Sequence, residues 1–290
     1  MKRVVFSVFL DLPTYDDEPR ASNNMEIIKK YYDAIVENHR NYAHSCDANY
    51  VIFNYNAGYE KFYQKLKSID PTITHYQTIN NFKIHCLDLL KHDYNEILYL
   101  DLDVFVNTEK NIFEEFDLSK GICLAPQTLR FEIFKQRGTL YGSNYMGKLL
   151  KPENYYIDTR AVEVKYAIAK TLLIMDDIFI DPEIWNTGIV AINADHVNEL
   201  DYFGKDFNRI CEDIIENRTD EIGLFAPELL KVFSINNESI ISYLTYSKNI
   251  DVHVLGDDWH HIYDDRNEGS PNRESNLIHI VNKKFEDILL

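Results

Sequence analysis

Nothing in the 290-residue chain reaches the roughly 18 consecutive apolar residues that cross a bilayer, so no transmembrane segment is expected. The apolar start, MKRVVFSVFL, ends at Asp11 with no small-residue cleavage site after it, and reads as a first strand, not a leader. Cytoplasm is the expected location. Positive charge is scarce. Lys and Arg total 30 against 47 Asp and Glu, a net charge of −17, which argues against a nucleic-acid groove or an anionic membrane surface as partner. A metal-chelated nucleotide stays compatible, because an ion and a few local lysines supply the field that the whole chain lacks. Cysteine is scarce as well. Cys46, Cys86, Cys123 and Cys211 lie far apart with no CxxC pair, a pattern of buried thiols in a reducing compartment and not of zinc ligation or disulfides. Internal repeats, low-complexity tracts and linkers are missing too, so one domain over residues 1–290 is expected.

With 45% hydrophobic residues, the chain has material for one large α/β core. Strand patterns at residues 4–9, 50–53, 121–125 and 184–192 alternate with helix patterns at 25–46, 59–69, 82–90, 162–175 and 195–216. Residues up to about 107 read as a doubly wound nucleotide-binding half, with residues from about 108 to 290 completing the domain. In such sheets ligands gather beyond the carboxyl ends of the strands, here the loop at 9–11 and the segment after residue 100. Residues 128–153 form an irregular stretch that reads equally as a lid or as a surface insertion.

One phrase organises the rest: residues 96–107, EILYLDLDVFVN. An apolar strand runs into Asp101 and Asp103 with Leu102 between them, then resumes. Strand side chains alternate, so the two carboxylates share one side and Leu102 takes the other. Two anions in one small space between core-forming stretches require water at the strand's mouth or a cation. The alternatives are a solvated acidic turn and a divalent-metal site.

Two further phrases sharpen the choice. Residues 185–193 read WNTGIVAIN, and residues 277–284 read LIHIVNKK. Together with YLDLD they resemble the signatures of GT-A nucleotide-sugar glycosyltransferases, closest to the retaining family that holds glycogenin and the bacterial lipooligosaccharide galactosyltransferases. The resemblance implies a single GT-A domain, an α/β fold with a Rossmann-like, doubly wound mixed sheet. It implies transfer of a hexose from a nucleotide sugar, UDP-hexose being the commonest donor, to a glycan, lipid or protein acceptor, with the nucleobase near the loop at 9–11. It also implies manganese (or magnesium) held by Asp101, Asp103 and His279. Asn186 would then position the donor sugar, and Lys83 with Lys283 or Lys284 would contact the diphosphate. The chain departs from the family where Thr187 replaces the commoner Ser, where His260 follows Trp259 in place of Asn, and where Asn282, Lys283 and Lys284 replace a glycine and Lys-Pro-Trp.

Plainer readings stand beside these: His279 as a core histidine, Lys83 as solvent-exposed, and Lys283 and Lys284 as a solvated pair. Glu238 lies in the first turn of a helix that opens at Asn236 or Asn237, a favourable place for any anion. Its phrase, INNESIISYL, also resembles the Asp-Glu-Ser helix start of the blood-group glycosyltransferases and the position of a Gln in the glycogenin family. That implies a carboxylate facing the anomeric carbon, and retention of configuration. The rival enzyme is a haloacid-dehalogenase-like phosphatase with Asp101 as nucleophile, Asp103 as general acid and Gly256-Asp257-Asp258 as its later acidic motif. A non-catalytic nucleotide-sugar or glycan binding protein is the third reading.

Overall fold

Val4, Val5, Phe6, Val8 and Phe9 are interrupted only by Ser7, the pattern of a strand covered on both faces, and in the computed structural model they belong to the first strand, Arg3–Phe9 (β1). The structure describes residues 1–12, 19–127, 156–216, 236–263 and 270–289. After β1 come the helix Pro19–Ser45 (α1), the strand Asn49–Asn54 (β2), the helices Ala57–Ile69 (α2) and His75–Leu90 (α3), and the strands Glu96–Leu100 (β3) and Val104–Val106 (β4). A single helical turn, Ile112–Glu115 (α4), leads to Ile122–Pro126 (β5). Then follow Tyr156–Met175 (α5), Trp185–Asn193 (β6), Ala194–Leu200 (α6), Lys205–Glu216 (α7) and Asn236–Ser247 (α8). The chain closes with Val252–Val254 (β7), His261–Tyr263 (β8), Leu277–Ile280 (β9) and Glu286–Leu289 (α9).

Two compact units result. The first gathers Met1–Ala125, Thr187–Asp201 and Ile250–Leu290; the second gathers Pro126–Asn186 and Tyr202–Asn249. In the first, a six-stranded sheet has the order β2-β1-β3-β6-β5-β7. β1 runs parallel to β2, with Val4 opposite Asn49, and to β3, with Val4 opposite Ile97. β3 pairs antiparallel with β6, Leu98 opposite Ala191. The sheet is therefore mixed, as expected, and the parallel trio carries its crossover helices between the strands. The loops after Phe9 and Leu100 leave from the same edge, where ligands of such sheets collect.

A three-stranded sheet, β4-β9-β8, places the C-terminal strand against the segment that follows the acidic pair. Leu102 is buried in a cluster with Ile35, Tyr263, Ile278, Ile280 and Phe285, so the alternation read from the sequence holds at this position. Burial of a leucine is worth about 1.5–3 kcal/mol, and that anchors the turn between the two aspartates. The four cysteines are free and buried, as packing residues.

Helices α1, α3 and α5 start six or seven residues earlier than their apolar spacing predicts, and α2 two residues earlier. For α3 the cause is explicit: Thr74 and Gln77 form a capping box, Thr74 N–H to Gln77 Oε1 at 2.9 Å and Gln77 N–H to Thr74 Oγ1 at 3.2 Å, ahead of a polar first turn. The long helix expected over 195–216 is instead two, α6 and α7. Asp201 closes α6 in the left-handed conformation, φ 40°, with its N–H on the Val197 carbonyl at 3.2 Å. In the second unit α5 packs along α8. The irregular stretch 128–153 lies outside the described residues.

Candidate functional site

β3 ends at Leu100, and the Asp101 N–H donates to the Gly188 carbonyl of β6 at 2.8 Å. The chain turns, with the Val104 N–H on the Asp101 carbonyl at 3.0 Å, and enters β4. There the antiparallel register sets Val104 opposite His279, and the Ile280 N–H closes on the Asp103 carbonyl at 2.7 Å. This pairing delivers the C-terminal histidine to the acidic pair. One ligand atom from each of Asp101, Asp103 and His279 lies within 4.8 Å of the others. His279 is buried, and its Nε2 is 3.2 Å from Asp103 Oδ2.

Two ammonium groups and two rings surround the trio. Lys83 is only 4% exposed and not solvated; its Nζ lies 3.4 Å from Asp101 Oδ2 and 5.1 Å above the centre of the Tyr99 ring. The Tyr99 hydroxyl donates to Asp101. Lys283 donates from Nζ to Asp103 and adopts φ 60°, a left-handed backbone that non-glycine residues rarely take. His260 Nε2 meets His279 Nδ1 at 3.2 Å. Lys284 is not part of this group; it is exposed and pairs with Asp287 at 3.3 Å. Asp257 is engaged by His261 at 2.8 Å and Asn272 at 3.1 Å, and among the described residues neither it nor Asp258 joins the cluster.

Burial alone would raise the pKa of Asp103, but the Lys283 ammonium and the His279 imidazole beside it overcome this and hold the carboxyl well below its usual range. Burial, with His279 as neighbour, lowers the pKa of His260 and keeps it neutral; its Nδ1 is buried without a partner. Removing the Asp103 carboxylate from water is costly unless a cation accompanies it, and Lys283 carries that charge, while Lys83 sits beside the partly exposed Asp101. The donor set, two carboxylates and one imidazole, suits manganese or magnesium with positions left for phosphate oxygens. The residues present thus fit a divalent ion.

The acidic pair is also braced from behind. Asn38 of α1 caps the free edge of β4 through both ends of its amide, Nδ2 to the Val106 carbonyl and the Val106 N–H to Oδ1, each 2.8 Å. The next residue, His39, lies 2.7 Å from the Val104 carbonyl through Nε2 and 3.0 Å from Ser7 Oγ through Nδ1. A carbonyl only accepts, so Nε2 carries the proton and Nδ1 accepts from the serine hydroxyl.

The second unit has its own buried charge pair. Lys165 of α5 donates to Glu238 in the first turn of α8, their side chains 14% and 11% exposed, and also to Gln127 Oε1 at 3.4 Å. The strand start is tied to the same helix: the Trp185 N–H donates to Ser242 Oγ at 3.0 Å, and Ser242 Oγ to the Glu238 carbonyl at 2.7 Å. Asn186, next in line, is 9% exposed. Sequence reasoning missed Lys165, Tyr99 and the His260 contact. Only Tyr99 carried a signal: two residues before Asp101, it shares that aspartate's side of the strand.

No family model and no curated protein matches the chain. Solved structures do resemble it. One is a glycosyltransferase involved in glycosylation of the major capsid of PBCV-1, at 12% identity and a TM-score of 0.43 over 97% of this chain and 93% of that one. Another is the galactosyltransferase LgtC in complex with donor and acceptor sugar analogues, at 12% identity and 0.43 over 96% and 87%. A third is mouse xyloside xylosyltransferase 1, at 10% identity and 0.42 over 97% and 98%. At TM-scores below 0.5 such likenesses carry no assignment; the residues of this chain must.

Proposed function

We propose that the protein is a metal-dependent glycosyltransferase that moves a hexose from a nucleotide sugar, a UDP-hexose, to an acceptor hydroxyl with retention. The observation that supports this is the meeting of Asp101, Asp103 and His279 from two distant segments, with Lys83 and Lys283 beside them. Asp101, Asp103 and His279 would hold a divalent ion, which would supply the positive charge that a departing nucleoside diphosphate needs. Lys83 and Lys283 bind and orient the phosphate oxygens as they leave their carboxylates. The bond from the anomeric carbon to the diphosphate oxygen breaks, its electrons leave with the nucleotide, and a bond to the acceptor oxygen forms as the acceptor proton passes to the leaving phosphate. Asn186, an amide that both donates and accepts, positions sugar hydroxyls. Glu238 supplies the carboxylate for the anomeric carbon, as transient nucleophile or as stabiliser of the oxocarbenium. The acceptor in this reading is a glycan, and the phosphatase reading loses its support because Asp257 and Asp258 stay outside the trio.

Calorimetric titration of UDP with and without manganese tests the proposal. UDP is expected to bind only with the ion, and Asp103→Ala is expected to abolish binding of both. Equal UDP affinity in chelator, or in Asp103→Ala, would refute it. Donor binding without hydrolysis or transfer would favour a binding protein instead.

A further inference from the structure

A second concavity lies in the first unit, away from the acidic trio. A pocket of about 490 Å³ opens between α2 and α3 at the end of β2, within the size range of small-molecule sites. Its floor is formed by Phe62 and Phe82, 5% and 3% exposed, with ring centres 5.5 Å apart. Phe53 meets Phe82 edge-on at 6.4 Å, and the His85 ring stacks on Phe62 at 4.6 Å. Leu89, 46% exposed, flanks the opening. At about 100° per residue, Phe82, His85 and Leu89 form one stripe of α3 that lies roughly 100° or more around the helix from Lys83. The pocket therefore belongs to the face of α3 turned away from Asp101.

An apolar hollow left open to water forfeits the gain its rings would make against a ligand. Its rim is not apolar. Lys61 and Lys65, one helical turn apart on α2, both line it and are exposed. Among the described residues neither ammonium has an ion-pair partner, although the chain carries a net charge of −17. Nearby acids are engaged elsewhere, Asp88 by Lys91 and Glu60 by Gln64. Like charges four apart on a helix repel, and an anion seated between them would relieve that repulsion. The α2 amino end is already satisfied, with Asn56 Oδ1 accepting from Gly58 and Tyr59, which leaves the two lysines as the anion's donors.

We propose that this pocket binds a medium-chain fatty acid, its tail against Phe53, Phe62 and Phe82 and its carboxylate between Lys61 and Lys65. The site goes beyond the transferase reading and does not depend on it.

Calorimetric titration of the full chain with laurate, below its micellar concentration, tests this, with dodecyltrimethylammonium as the cationic counterpart. One saturable micromolar laurate site is expected in the wild-type protein. The charge reversal Lys61→Glu/Lys65→Glu, at exposed positions, should weaken laurate at least about tenfold and let the cationic amphiphile bind instead. Leu89→Glu, also at an exposed position, should weaken laurate through the mouth of the pocket. Manganese-dependent UDP binding should be unchanged in all three proteins. Laurate affinity indifferent to the charge reversal, equal binding of both amphiphiles, or binding only to anionic vesicles and not to laurate monomer would each overturn the proposal.

Discussion

Lys283→Met should change the affinity for a bare divalent ion and for UDP in opposite directions. Lys283 donates to the same Asp103 carboxylate that the trio offers to a cation, and the side chains are 14% and 8% exposed. An ion entering the trio therefore meets an ammonium within contact range. Two unit charges about 4 Å apart repel by about 1 kcal/mol even in bulk water, and a dication doubles this. Partial burial raises the value and swinging of the flexible lysine lowers it, so about 2 kcal/mol, roughly thirtyfold, is the expected gain in manganese affinity on removing the ammonium. With UDP present the sign reverses: the ammonium now faces phosphate, and its loss should weaken the ternary complex by about tenfold. Stability supplies a further readout. Breaking a buried ion pair from one side costs about 3 kcal/mol, so Lys283→Met should melt earlier than wild type without the ion and regain most of the loss in manganese. Electron paramagnetic resonance of free manganese during titration measures the first effect, calorimetry the second and thermal melts the third. If Lys283→Met binds manganese no tighter than wild type, the ammonium and the ion do not compete for Asp103, and the assignment of that carboxylate to the metal falls.

Glu238→Ala should reduce transfer by about 10³-fold or more while UDP and manganese affinities hold; proton NMR of the first product should show an α-linked donor giving an α-linked product, and a β-linked product or near-wild-type turnover would leave Glu238 a helix-terminal anion only. Lys165→Met takes the ammonium away from the buried Glu238 carboxylate, and should cost about 3 kcal/mol in urea unfolding, with much of it returned by adding Glu238→Gln; additive losses would deny the pair. His39 is buried, and burial lowers its pKa from 6.5 to about 4 despite the Val104 hydrogen bond and Asp103. The unfolded state then takes up the proton first as pH falls, so stability is lost between pH 6.5 and 4, about 3 kcal/mol in all. His39→Gln should lack that component when urea midpoints are compared at pH 7.5 and 4.5, and parallel losses in both proteins would refute it.

The parts of this site that could be read in the chain are those set by short periods. Strand alternation predicts Asp101 and Asp103 together and Leu102 in the core, and the structure reaches the same grouping through a turn between β3 and β4. His279 was legible as a strand residue, but its partner was not, since the pairing depends on which strand β9 meets. In the sequence Lys83 stands open between a diphosphate contact by resemblance and exposure to solvent, where an isolated helix pattern ranks lysine; only the packing of α3 on the sheet shows it 4% exposed against Asp101. Lys165 and Glu238 are seventy-three residues apart, and nothing local marks either as half of a pair. The helix break at Asp201 had a signal in Gly204 that the apolar periodicity of 195–216 overrode.

The least legible element is the one that builds the site. Residue pairing along β4 and β9 has a period of two, so a slip of one residue would turn His279 from the carboxylates to the opposite face. Two backbone contacts across the pair resist such a slip, Ile280 N–H on the Asp103 carbonyl and Asn107 N–H on the Asn276 carbonyl, while the Asn38 amide on both backbone groups of Val106 and His39 on the Val104 carbonyl hold β4 itself to α1. None of them uses a residue of the DLD phrase through its side chain. Across β4 and β9 the carboxylates and the imidazole are thus held in register by backbone hydrogen bonds, with side-chain contacts from Asn38 and His39 added on the α1 side. Register, and not the identity of residues 282–284, sets the position of His279 beside the acidic pair.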